Sequence, residues 1–247
     1  MNILLILGSA LLPAVLLLLF IYHKDSKPEP AKLLMKAFFL GVLVTIPIIF
    51  LELGISYLLF GTSDIVTNSI GSTVLTAFVT AALPEELFKL VGLRKVTMNN
   101  PYFDEHFDGI VYAVFVSLGF ASVENVLYVF GEYEEWVSVA VARGLLAVPG
   151  HYAFGILMGY FYSMYYFVER STRNRIMILA APILAHGVYD TIAFSSSLSP
   201  EWSGPAAIIL IVFCLWMHRF CKRRLDKHLL RDKDFANFGL QNNQPEL

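Results

Sequence analysis

Glu85, Glu86 and Lys89 share one apolar stretch of this chain, Glu124 lies in the next, His151 opens a third, and His186 and Asp190 share a fourth. An ionisable side chain at membrane depth costs at least a few kcal/mol, so it faces a protein interior or a watered cavity rather than lipid. Carboxylates and imidazoles gathered in one such cavity are the groups that activate water. The pattern therefore points to a membrane-embedded hydrolase.

Each motif has its own reason. Glu85 and Glu86 sit near the middle of their stretch, directly after Pro84. A proline inside a helix removes one backbone hydrogen bond and bends the axis, which opens room for water. Two adjacent carboxylates in a low dielectric resist ionising together, which suits a general acid or base. Lys89 follows at i+4 and i+3 and can pair with one of them. Phe120-x-x-x-Glu124 puts an aromatic wall one turn from a carboxylate, with Asn125 beside it. In His186-x-x-x-Asp190 the aspartate shares the imidazole's face and can fix its tautomer, while Gly187 lets a neighbouring helix approach. His151 follows Pro149-Gly150 and is the weakest of these signals alone. No Gly-x-Ser-x-Gly nucleophile pattern accompanies them, so the expected nucleophile is water.

Other polar residues read as structural. Glu52 has no companion in its own stretch and is expected to pair with Arg143. Asp104, Glu105, His106 and Asp108 form an acidic turn, with Asp108 expected to cap the following helix. The aromatics between Tyr160 and Phe167 read as an interfacial belt.

The elements that must position these residues are legible in composition. Of the 247 residues 57% are hydrophobic, and the mean hydropathy is +0.63. That is the signature of an integral membrane protein. The net charge of −2 says nothing about partners, and nothing resembles a nucleic-acid module or a phosphate loop. The expected fold is all-α, a polytopic bundle with spans near 3–22, 33–60, 70–93, 108–130, 150–168, 176–198 and 203–220, each able to cross a hydrocarbon core of about 30 Å. All but Lys89 and Arg143 of the 18 Lys and Arg follow the odd-numbered spans, and the loops 61–69, 131–135 and 199–204 hold none. By the positive-inside rule the N-terminus lies outside and the C-terminus in the cytoplasm. That parity makes 134–148 an interfacial or re-entrant helix ended by Pro149-Gly150, not an extra crossing. The first span lacks a basic stretch before it and reads as an uncleaved anchor. Cys214 and Cys221, about 10 Å apart along one helix, form no disulfide. Residues 1–220 read as one membrane domain, and 221–247 as a basic cytoplasmic tail with a polar, disordered end.

The set Glu85-Glu86-x-x-Lys89, Phe120-x-x-x-Glu124, His151 and His186-x-x-x-Asp190 resembles the PrsW family of bacterial multi-pass proteases. That family is related to the CAAX-prenyl endopeptidases and the bacteriocin-processing enzymes. The stretches from Phe103 to Tyr112 and from Val116 to Asn125 extend the likeness to nearly the whole chain. The resemblance implies extracytoplasmic cleavage of a membrane-anchored anti-sigma factor, the first cut of a stress response that releases a sigma factor. It also implies Glu85 or Glu86 as base toward water, with Glu124 sharing in activation. His186 and Asp190 would stabilise the oxyanion, and His151 would orient or donate. In the CAAX endopeptidases a histidine stands where this chain has Glu124, so that residue's relay role does not carry over.

Two chemistries fit these residues. One is metal-free activation of water by the carboxylates. The other is a zinc site in which His151, His186 and Glu124 leave an open position. The missing His-Glu-x-x-His spacing favours the first, with no cofactor. A non-enzymatic transporter or scaffold would use similar buried charges, but the sequence shows no internal repeat of the kind many transporters carry. The expected partners are a single-span protein substrate and the lipid bilayer.

Overall fold

Where lipid replaces water, a backbone must satisfy its own polar groups, and a chain this apolar does so by forming helices. The structure is a computed structural model that describes the backbone of residues 3–242 and the side chains of residues 3–234. It contains α1 (Ile3–Lys24), α2 (Ala31–Phe60), α3 (residues 70–97), α4 (Asp108–Gly131), α5 (Trp136–Val168), α6 (Thr172–Ser195) and α7 (Pro200–Asn242), and no strand among the described residues. All but α3 are long and apolar enough to cross a membrane. α3 carries Glu85, Glu86, Lys89, Arg94 and Lys95, and it packs against α2, α4 and α6.

Local sequence sets the breaks. Gly61 ends α2 at φ 72°, in the left-handed region, with its N–H on the Tyr57 carbonyl, a conformation glycine adopts without penalty. Ser69 starts α3 with a reciprocal capping box to Ser72. Two π-helical turns, Thr76–Ala82 in α3 and Arg143–Ala147 in α5, each end one residue before a Leu83-Pro84 or Val148-Pro149 pair. The widened turn shifts the hydrogen-bond register, so the N–H of Val148 reaches the Arg143 carbonyl and the helix continues past a residue with no N–H to give. Pro149-Gly150 therefore does not end a helix. The segment 134–148, expected as an interfacial or re-entrant helix, supplies from Trp136 onward the first turns of α5, one continuous helix of 33 residues.

α4 and α5 form the centre. Every residue from Asp108 to Ser122 and from Gly150 to Tyr160 is buried. Glycines let the backbones approach. A Cβ on Gly119 would overlap the Phe38 carbonyl of α2, and one on Gly159 would overlap the Gly109 carbonyl of α4. The outer helices turn apolar side chains outward, among them Leu4, Leu16, Leu43, Phe50, Ile208 and Trp216.

The end of the bundle that gathers the basic residues also holds a polar network. Asp232 on α7 accepts from the backbone N–H groups of His106 and Phe107, at 2.8 and 2.9 Å. Asp108, expected to cap α4, does not accept from the first-turn amides of that helix; the N–H groups of Ile110 and Val111 go to the Phe107 carbonyl. Asp108 accepts instead from the amides of Asp104 and Glu105, because its side chain points back over the loop. Tyr112 donates to Glu29 at 2.6 Å, and burial pushes the Glu29 carboxyl up to about 7. α7 continues past residue 220 and buries Cys221, Leu225 and His228 against this end. The polar, disordered end expected of the tail 221–247 reaches beyond the described residues, which stop at 242.

Candidate active site

The π-helical turn of α3 delivers Glu85 and Glu86 into the bundle, and that of α5 delivers His151. Lys89 lies at their centre, 1% exposed. Its ammonium donates to Glu85 Oε2 at 2.9 Å, to Glu86 Oε1 at 2.9 Å and to His151 Nδ1 at 3.2 Å, and sits 4.3 Å from the centre of the Phe120 ring. An ammonium can only donate, so His151 Nδ1 accepts and the ring proton sits on Nε2. That Nε2–H donates to Glu124 Oε2 at 2.8 Å. Glu124 in turn accepts from Arg143 at 2.7 Å, and Arg143 Nε donates to Asn125 Oδ1 at 2.9 Å. Asn125 anchors this chain by donating to the Ala10 carbonyl of α1.

His186 faces the cluster from α6. Its Nδ1 lies 2.9 Å from Glu86 Oε1, its Nε2 3.2 Å from Asp190 Oδ2 and 3.9 Å from Glu85 Oε2. The ring stacks on Phe154, with centroids 4.5 Å apart, which fixes its plane. Gly187 gives the close approach expected of it. A Cβ there would overlap the ring of Phe78, a residue of the α3 π-helical turn.

Beside the cluster is a cavity of about 470 Å³. Glu85, Glu124, His151, His186 and Asp190 line it, and it extends to Ser63, Asp64 and Ile65 in the loop after α2. That loop lies at the end of α2 opposite the basic residues. Ile48, Ile49, Leu53, Leu127 and Leu146 supply apolar wall. Glu86 does not line the cavity and is fully buried.

All the residues singled out in the sequence, Phe120 and Asn125 included, thus meet in one place. Two expected pairings change. Arg143 belongs to Glu124 and Asn125, not to Glu52, because the Arg143 turn of α5 packs on α4 beside Glu124. The signal was present: a lone cation in an apolar span must find an anion, but spacing alone does not say which. Glu124 is also not where the zinc reading needs it. The donor atoms that lie within 4.8 Å of one another come from Glu85, Glu86, His151 and His186, and Glu124 stands behind the His151 ring.

These four donors are of the types that hold zinc, imidazole nitrogen and carboxylate oxygen, and Glu86 Oε2 is buried with no hydrogen-bond partner. In type and spacing they fit a divalent ion. The Lys89 ammonium already occupies hydrogen-bond positions on three of them, so an ion drawing on the same atoms would compete with it.

Comparison with known proteins gives the same direction. The profile of the family described as "PrsW family intramembrane metalloprotease" matches residues 29–217. The protein named Protease PrsW from Oceanobacillus iheyensis is 35% identical over 212 residues, 85% of this chain and 93% of the relative. Its namesake in Clostridioides difficile is 33% identical over 231 residues, 91% of each chain. That of Bacillus subtilis is 35% identical over 190 residues, 76% of this chain and 82% of the relative. No solved structure matches the chain.

Proposed function

Because the chain belongs to the PrsW family of intramembrane proteases, a multi-pass bacterial membrane protein and a peptidase, we propose that it cuts a membrane-anchored protein through water activated by Glu85. The observation that carries this reading is the asymmetry of the glutamate pair. Glu85 lines the cavity, whereas Glu86 is fully buried behind it.

In this reading a water in the cavity gives a proton to Glu85 as its oxygen attacks the scissile carbonyl. Lys89 aims the Glu85 carboxylate and holds it in place. The negative charge developing on the carbonyl oxygen is met by His186, which keeps its Nδ1 contact with Glu86 and turns its cavity-side Nε2–H from the longer contact with Asp190 to the substrate oxygen. Glu85 then returns its proton to the leaving amine. His151 with Glu124 holds Lys89 from the other side, a positioning role, since its Nδ1 is already occupied. The cavity's reach toward Asp64, away from the basic end, supports a cut on the extracytoplasmic side, with the basic end in the cytoplasm. An anti-sigma factor is the substrate class that the resemblance implies.

The test is cleavage of a co-expressed, tagged, single-span anti-sigma-type protein by wild type, Glu85→Gln and Glu86→Gln. Loss of the shortened fragment with Glu85→Gln, in a variant still present in the membrane, is the expected result. Unchanged cleavage by that variant overturns the mechanism.

The clustering of the four donors favours a second reading, in which Glu85, Glu86, His151 and His186 hold a divalent ion. Such an ion would supply a more acidic bound water or polarise the scissile carbonyl. Metal analysis of protein purified without chelator separates the two readings. Stoichiometric zinc that falls away in Glu86→Gln supports the ion; cleavage that persists after exhaustive chelation supports the glutamate mechanism.

A further inference from the structure

The charged side chains in the membrane-embedded part of the cavity mostly answer one another. Glu85 is met by Lys89, Glu124 by Arg143 and His151, and Asp190 by His186. Glu52 is the exception: it lines the same cavity and makes no hydrogen bond or ion pair with any described residue. It lies on α2, within electrostatic range of Glu85, Glu124, His186 and Lys89, and so close to the reacting centre, but it is bonded to none of them. One turn on, the hydroxyl of Ser56 donates to the Asp64 carbonyl at 2.8 Å and ties the mouth loop to the same face of α2.

A carboxylate kept at membrane depth without an internal cation costs several kcal/mol, and such residues mark substrate or ion contacts. The Arg143 that could have neutralised it is committed to Glu124 and Asn125. The nearest cations, Lys89 and His186, are bonded to Glu85, Glu86 and Asp190, so a cation entering the cavity finds Glu52 as its one unpaired carboxyl partner among the described residues. Beside Glu52 the wall is apolar, formed by Ile48, Ile49 and Leu53. A long alkyl stem ending in a cation matches that wall and that carboxylate together.

Resting on the protease reading, we infer that Glu52 is a specificity-determining residue that receives a lysine or arginine side chain of the substrate beside the scissile bond. Favoured substrates then carry a basic residue near the cleaved bond on the extracytoplasmic side. Acidic residues at that position are rejected, because they would meet Glu52 unscreened.

The experiment uses a set of tagged single-span proteins identical except at one position. That position is scanned through the extracytoplasmic end of the span and the residues after it, as Lys, Gln or Glu. Capture by crosslinking is measured with full-length Glu85→Gln, which need not cleave, and cleavage is measured in parallel with Glu85 intact. At one or two scanned positions the Lys form is expected to be captured at least tenfold better than the Glu form. Adding Glu52→Gln should level that preference, and Glu52→Lys should invert it. Capture that ignores charge, a preference unchanged by both Glu52 variants, or no capture of any member overturns the assignment. Charge-selective capture without cleavage by the Glu85-intact protein would uphold Glu52 and remove the protease mechanism instead.

Discussion

Glu85 and Glu86 are consecutive in the chain and share Lys89, but they face different surroundings. Glu85 meets the cavity, and Glu86, with no exposed surface, lies between the Lys89 ammonium and the His186 ring. Consecutive helical residues point about 100° apart, so one carboxylate can serve water while its neighbour serves the protein.

The two glutamine variants should therefore fail differently. Glu85→Gln is expected to lower cleavage by about 10²–10⁴-fold, the usual worth of a general base, with little change in melting temperature. Glu86→Gln should lower both, because it weakens the hold on Lys89 and His186. Cleavage assays and thermal melts in detergent on the same preparations distinguish them. Equal melting temperatures would remove the structural role given to Glu86.

Lys89→Met leaves two buried carboxylates without their cation, a loss of about 3–5 kcal/mol. The expected outcome is poor accumulation in the membrane or a strongly lowered melting temperature. Lys89→Arg should not restore the site, since a planar guanidinium cannot reproduce three converging bonds from one nitrogen. A fully stable Lys89→Met protein would contradict the geometry around Nζ.

Arg143 can be assigned by rescue. Arg143→Leu should destabilise the protein by uncovering Glu124, and adding Glu124→Gln should recover much of that loss. Adding Glu52→Gln should recover none of it. Melting temperatures of the two double variants decide the pairing, and rescue through Glu52 would restore the partner that sequence reasoning expected.

At the basic end, burial raises the Glu29 carboxyl to about 7, against 4.5 in an unfolded chain. Between those values the folded state binds the extra proton, so this group's contribution to stability is full below pH 4.5 and is lost as pH rises through about 7. Glu29→Gln keeps an acceptor for Tyr112 and removes the titration. It should match wild type near pH 4.5 and melt higher above pH 7. Parallel pH profiles for the two proteins would show that Glu29 does not titrate in this way.

The sequence by itself determined that the chain is a helical membrane bundle and which ionisable residues gather in its interior. Both follow from one constraint: lipid excludes charge, so every intramembrane Glu, His, Asp and Lys had to be turned inward, and apolar runs had to be helices. Only the tertiary structure decided who meets whom. Arg143 chooses Glu124 over Glu52 because α5 packs on α4 there, a long-range fact that spacing within one helix cannot carry. The continuity of α5 through Pro149 was equally out of reach, whereas a single span through Pro84 was expected. Pro149-Gly150 signals a helix end in a local reading, but a π-helical turn at Arg143–Ala147 shifts the register and lets the helix run on. The different surroundings of Glu85 and Glu86 were decided the same way, by which side of one helix faces the cavity.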